Sequence, residues 1–197
     1  MRGRQTVQPI RKLTDITRVT QCLEDHFAPK YKALFLLGIN TGLRISDLLK
    51  LRVEDILEPN KKRRQVVERL EVREKKTGKY KNFPLNTRAR TALQDYLKTY
   101  QVKSGPLFPS RNLNGKKPLT RTSVYIVLTS AAKMAGLHER VGTHTMRKTF
   151  GYHKYKEGVD ITRLMRIFRH ATPEITLRYI GITQDDEDKV YYSNPLG

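Results

Sequence analysis

Two short stretches in the second half of the chain hold residues whose types and spacing could do chemistry. In Thr143-His144-Thr145-Met146-Arg147-Lys148, His144 and Arg147 are three apart and Lys148 is four from His144, so on a helix all three project from neighbouring positions on one face. They form a cationic cluster with one titratable member, suited to holding an anion and handling a proton. Further on, Phe168-Arg169-His170 closes one helical pattern, and Tyr179 follows nine residues after His170. A tyrosine hydroxyl, with an ordinary pKa of about 10, is a poor nucleophile at pH 7 until nearby positive charge favours the phenolate or a base takes its proton. Taken singly, each group has a bland reading. An H-x-x-R pair on a helix is usually structural, and a His and a Tyr at this separation often meet by chance.

The charge of the whole chain says what such a cluster would face. The 197 residues carry 39 Lys+Arg against 19 Asp+Glu, a formal net charge of +20. Self-repulsion on this scale opposes a compact monomer, and a partner with dense negative charge, nucleic acid before an anionic membrane, is its simplest explanation. Residues 61–81 contain ten basic residues, among them Lys61, Lys62, Arg63, Arg64, Lys75, Lys76, Lys79 and Lys81, against three acidic ones. A basic hairpin of this kind can lie along a phosphate backbone or enter a groove. The end of the chain is opposite in sign: Asp185, Asp186, Glu187, Asp188 and Lys189 sum to −3, followed by apolar Val190, Tyr191 and Tyr192, while residues 1–180 carry +23. No run of 18 apolar residues exists, and the N-terminal stretch lacks the apolar core of a signal peptide, so a membrane partner is not expected. Cys22 is the only cysteine, which excludes an intramolecular disulfide and a Cys-based zinc site. The chain reads as cytoplasmic and nucleoid-associated, with no metal and no cofactor.

The elements that must position these residues follow from periodicity and punctuation. Thr14-Asp15 precedes Ile16, Val19 and Leu23 at helical spacing, Tyr31 to Asn40 is apolar on nearly all sides, and Gly42 reads as a stop. Ile45, Leu48, Leu49 and Leu51 resume a helical stripe ending near Arg52, which puts Arg44 at the junction of two core helices. From Lys61 to Leu85 the period changes: Val66, Leu70 and Val72 share parity, Thr77-Gly78 is a turn, and Tyr80 to Leu85 closes a hairpin. Asn86 caps a helix with Leu93, Tyr96 and Leu97, and Thr120 or Thr122 caps one with Val124, Val127 and Leu128. Helices are then predicted over 143–157, 160–168 and 172–180, with Pro173 at a first helical position. The prediction is a mainly α fold with one small antiparallel β-sheet.

The joint pattern is far more specific than its parts. Asn40-Thr41-Gly42-Leu43-Arg44-Ile45-Ser46-Asp47-Leu48-Leu49, a lysine at 76 in the hairpin, His144-x-x-Arg147, and His170 with Tyr179 occur in that order. The chain thereby resembles, over residues 14–182, the catalytic domain of the tyrosine recombinase (phage integrase) family, and the resemblance implies that domain's fold. It also implies catalytic roles for Arg44, Lys76, His144, Arg147, His170 and the nucleophile Tyr179, with Asp47 and Lys148 in support. Lys75 is the neighbouring alternative to Lys76, and Tyr191 and Tyr192 are alternatives to Tyr179. Where family members commonly have Gly before the second histidine, this chain has Arg169.

The residue types fit that chemistry physically. Attack on a phosphodiester builds a transition state with about two negative charges, which fixed guanidinium groups at Arg44 and Arg147 would stabilise. His144 is a candidate base, His170 a further donor to the phosphate, and Lys76 a general acid for the leaving 5′-oxygen. The product would be a 3′-phosphotyrosyl link, rejoined to another 5′-OH without ATP or metal. The resemblance further implies that residues 1–183 form the catalytic domain; full-length family members usually carry an N-terminal DNA-clamp domain as well, and the expectation is that this chain lacks one. Residues 184–197 would form a tail docking on a neighbouring subunit of a tetramer on double-stranded DNA. Two rivals share the sequence features: a type IB topoisomerase-like nicking-closing enzyme, and a non-catalytic basic DNA- or RNA-binding protein.

Overall fold

Leu34, Phe35 and Leu37 are flanked by further apolar residues on every side of one helical stretch, so that stretch has no face to give to water. In the computed structural model it becomes α2 (Pro29–Thr41), the central helix, with α1 (Leu13–His26), α5 (Thr87–Tyr100) and α7 (Thr145–Lys156) packed around it. The structure describes residues 7–59, 64–73, 78–101, 104–111 and 116–183, together with 186, 188, 191 and 192. Gly42 ends α2 in the left-handed conformation, φ +62°, with its N–H donated to Gly38 O; a Cβ there would stand 2.5 Å from the Phe150 ring. Only glycine combines that φ with that approach.

The hairpin consists of β1 (Arg69–Arg73) and β2 (Tyr80–Pro84), antiparallel with Leu70 opposite Phe83 and Val72 opposite Lys81. Leu70 and Val72 are buried while Arg69, Glu71 and Arg73 face out, the period-two alternation of a half-buried strand. Asn86 caps α5 through Ala89 N, and Thr120, not Thr122, caps α6 (Arg121–Met134) through Ser123 N. Asp160 and Thr172 cap α8 (Ile161–Phe168) and α9 (Pro173–Ile180). Among the described residues, no helix is long and apolar enough to cross a membrane.

Three boundaries differ from the sequence expectation. The first helix starts at Leu13 after Lys12, and Asp15 sits inside its first turn, accepting from Arg18 at 2.5 Å. The stripe from Ile45 to Leu51 is not one helix. Only its first part is helical, as α3 (Ile45–Leu48), and a separate α4 (Val53–Ile56) follows it, because Leu51 and Val53 turn their backbones to residues 105–107: Leu107 N donates to Leu51 O at 2.8 Å, and Val53 N to Gly105 O at 2.9 Å. Third, α7 begins at Thr145, leaving His144 as its N-cap residue.

Helices α8 and α9 reach α7 at Gly151, where a Cβ would lie 2.6 Å from both Phe168 Cε2 and Ile180 Cγ2. Alanine favours a helix over glycine by about 1 kcal/mol, yet Gly151→Ala is expected to destabilise the protein by about 1–3 kcal/mol through overpacking. Thermal denaturation would register this as a lowered Tm, whereas an unchanged or raised Tm would contradict the close packing of the three helices.

Candidate active site

Four separate elements bring their functional side chains to the C-terminal end of α8. Arg44, between the Gly42 stop and α3, donates from its guanidinium to Phe168 O at 3.3 Å. Arg147, in the first turn of α7 and only 3% exposed, donates to the same carbonyl at 3.1 Å and to Gly42 O. The last carbonyls of a helix carry partial negative charge, so the end of α8 is a natural seat for two guanidinium groups. The Phe168 ring is fully buried and lies 4.5 Å from the Arg147 Cζ, a cation–π contact.

Tyr179, in the last turn of α9, completes the cluster. Its hydroxyl feels the Arg147 guanidinium nearby and lies 3.5 Å from His144 Nδ1. Its ring stands edge-on to His170 and Phe168, with centroids 5.0 and 5.6 Å away, and Lys148 Nζ lies 5.3 Å from the ring centroid. Lys148 is itself buried, and burial lowers its pKa from the ordinary lysine value. His170 follows the C-cap of α8, and its Nδ1 lies 3.1 Å from the hydroxyl of buried Thr176, which donates to Thr172 O.

The electrostatics shift Tyr179 and His144 in opposite directions. Burial raises the Tyr179 pKa above its ordinary value, and the opposing pull of Arg147 and Arg44 does not overcome it. The phenol therefore stays protonated at neutral pH, and of the two activation routes open in the sequence, a base is the one the geometry supplies. His144 is shifted the other way: loss of hydration first, then the charges of Arg121, Lys148, Arg147 and Arg44, hold its pKa below the ordinary histidine value. It is neutral at pH 7 and able to accept a proton.

Of the residues expected from the sequence, Arg44, His144, Arg147, Lys148, His170 and Tyr179 thus meet at one place. Asp47 is buried at 1% exposure on α3 beside them, its Oδ1 3.4 Å from Ser46 Oγ. Lys75 and Lys76, together with Lys61, Lys62 and Arg63, lie outside the described residues. Arg64 donates to Leu97 O at 3.2 Å, tying it to the last turns of α5, while Lys79 is exposed just before β2. Lys81 donates to Ile167 O at 2.5 Å, joining β2 to α8. Arg169 takes the left-handed conformation, φ +56°, at the C-cap. An arginine therefore fills the backbone slot where glycine is commonest, and His170 still reaches its place. Sequence reasoning missed Arg121 and Thr176. Thr176 had a local signal, four residues after the Thr172 cap, but nothing local connects Arg121 to His144. Among the described residues, no group of three or more His, Cys, Asp or Glu side chains could hold a metal ion.

Comparison with known proteins agrees with this arrangement. Residues 10–185 match the phage integrase family. The chain is 40% identical over 185 residues to the probable integrase/recombinase YoeC of Bacillus subtilis, covering 94% of this chain and 95% of that protein. It is 30% identical to the tyrosine recombinase XerA of Pyrococcus horikoshii over 77% of this chain, spanning half of that longer relative. The fold matches the crystal structure of XerA recombinase with a TM-score of 0.74 at 18% identity, over the whole of this chain and 67% of the other. It also matches XerH site-specific recombinase bound to its difH substrate, with a TM-score of 0.71 at 17% identity, over 95% of this chain and 53% of the other. With its family match running almost end to end and its site residues gathered around the half-buried Tyr179, the chain belongs to the phage integrase family.

Proposed function

We propose that this chain is a DNA strand transferase that cuts and rejoins double-stranded DNA through Tyr179, as a site-specific recombinase. The observation that carries the reading is the position of the Tyr179 hydroxyl between the Arg147 guanidinium and the His144 imidazole, with Arg44 held on the same Phe168 carbonyl as Arg147. In the reaction the Tyr179 oxygen attacks the phosphorus while its proton passes to His144. The bond from phosphorus to the 5′-oxygen breaks, and Lys76 delivers a proton to that oxygen as it leaves. Arg44 and Arg147 hold the non-bridging oxygens, where negative charge grows, and His170 is a further donor. One phosphodiester is exchanged for another, so attack by a second 5′-OH on the phosphotyrosyl link reverses the step without ATP or metal. Lys79 of the hairpin, together with Lys61, Lys62, Arg63 and Lys75, contacts the DNA backbone, while Arg64 and Lys81 donate to Leu97 O and Ile167 O. The relatives are named recombinases and integrases, which gives the topoisomerase-like reading no support.

The test is a nicked suicide duplex that traps the cleaved state. A covalent protein–DNA species is expected, and digestion followed by mass spectrometry should map the nucleotide to the peptide containing Tyr179. Absence of any adduct, or mapping to Tyr191 or Tyr192, would sink the reading. The pH dependence follows from the site. His144 must be deprotonated to take the proton, so kcat/KM is expected to rise with pH along an acid limb centred below the ordinary histidine value. His144→Gln should flatten that limb and slow cleavage by roughly 10²–10⁴-fold. For stability the sign is the same: the folded state binds fewer protons at this site than the unfolded chain, so the contribution of His144 is present at neutral pH and lost as pH falls.

Residues 1–183 act as the catalytic domain, at work wherever the cell holds its DNA, and residues 184–197 as a tail exchanged between subunits of a tetramer on that DNA. Two features support a tail with two docking modes. Asp186 ties it back to its own protomer, pairing with Lys156 at 3.3 Å and accepting from Thr183 N at 3.1 Å. Tyr191 and Tyr192 are 88% and 86% exposed, an apolar pair with nothing to bury them in a lone chain. Deleting residues 184–197 should leave cleavage of a single site intact and abolish synapsis measured by light scattering. Unchanged synapsis would count against the tail's role.

A further inference from the structure

The stretch over residues 7–11, ahead of α1, crosses both α7 and α9. Gln8 N donates to Arg140 O at 2.9 Å, and Val7 Cγ1 lies 3.0 Å from where a Gly142 Cβ would stand, in the segment that leads into His144. Ile10, buried, then fixes the stretch to α7: its N–H donates to Thr149 Oγ1 and its carbonyl meets His153 Nε2, both at 2.9 Å. At the far end Arg11 donates to Gly181 O at 2.7 Å, directly after α9, with Pro9 packed against Gly181 and the Arg11 guanidinium 5.8 Å from the Tyr152 ring.

Helix α9 needs such support. It has eight residues, too few to hold a helical conformation alone, and Tyr179 is next to last. Thr172 secures its N-terminus. At the C-terminus Gly181 N and Ile182 N take Arg178 O and Leu177 O, and Arg11 adds a positive charge where the helix dipole favours one. We propose that Arg11 is a positioning residue for Tyr179: residues 7–11 form a clasp that holds the end of α9 to α7 and so sets the distance from the Tyr179 hydroxyl to His144. This rests on the reading of Tyr179 as nucleophile. It also places the pivot of the tail beyond Gly181, since the clasp holds the chain up to that residue.

The test uses the full chain and the Arg11→Ala variant. Without DNA, amide hydrogen exchange over residues 177–182 is expected to quicken about tenfold in the variant, with α2 unchanged. On the suicide duplex at saturating DNA, single-turnover adduct formation is expected to slow about tenfold, a displacement effect of the size that small misplacements of reacting groups produce. DNA affinity and its salt dependence should stay as in the parent chain. Exchange and rate both unchanged would overturn the proposal. So would a slow rate cured by more DNA together with a shallower salt dependence, which would make Arg11 a phosphate contact instead. If the parent chain formed no adduct, the nucleophile reading would fail, and the exchange measurement would tell that failure apart from failure of the clasp.

Discussion

Tyr179→Phe is expected to bind duplex DNA with the affinity of the parent chain and to form no covalent adduct under any condition. The substitution keeps the ring that packs edge-on to Phe168 and His170 and removes only the oxygen. The neighbouring Arg147 guanidinium keeps Gly42 O and Phe168 O as acceptors. The cost to folding is therefore about 1 kcal/mol or less, and the loss of cleavage is complete because the attacking atom is gone. Gel-shift titration beside the suicide-duplex assay makes the comparison. An adduct surviving in Tyr179→Phe would mean that another residue attacks.

Arg147→Ala is expected to produce the second largest effect, in two currencies at once. Transition-state stabilisation by a preorganised donor is typically worth 10²–10³-fold or more in rate, and Arg147 contributes two such donors in a fork. A fall of roughly 10³-fold or more in single-turnover cleavage at saturating DNA is therefore expected. The same guanidinium joins the end of α2 to the end of α8 and stacks on Phe168. Its loss takes the Arg147 donor from buried Gly42 O and leaves Phe168 O to Arg44 alone, at about 1–3 kcal/mol, or a Tm drop of about 2–4 °C per kcal/mol for a chain of this size. Arg147→Lys should recover little, because an ammonium cannot reach Gly42 O, Phe168 O and a phosphate together. Arg44→Ala is the internal control. Half-buried and donating to Phe168 O at 3.3 Å, Arg44 should cost comparable activity and much less stability. Equal losses of stability in both variants would contradict this division.

Local signals were read well because the forces behind them act within a few residues. Asn86, Thr120 and Thr172 accept from backbone N–H groups three residues on, and Gly42 stops α2 through a bond to Gly38. The alternation of Leu70 and Val72 survives as the buried face of β1. The helix expected from Ile45 to Leu51 failed for the opposite reason. Its apolar spacing is compatible with helix, but the acceptor and donor at Leu51 and Val53 are claimed by residues some fifty positions away, a competition that no window of sequence contains. Arg64, which reads as one more cation of a basic run, is drawn to Leu97 O by the packing of α5. Residues 7–11 carry no local sign of what they hold, because their partners begin at Arg140.

By itself the sequence determined the chemistry: which side chains are present, in what order, and that two arginines, two histidines and a tyrosine suit a phosphodiester. Those are properties of residue type and short spacing. The tertiary structure alone decided how charge and burial combine at the centre. Arg147 meets Gly42 across 105 residues, and lost hydration raises the pKa of Tyr179 despite two neighbouring guanidinium groups, with His144 Nδ1 3.5 Å from its hydroxyl. A pKa depends on distance and hydration in three dimensions, and neither quantity exists until helices α7, α8 and α9 have closed on one another.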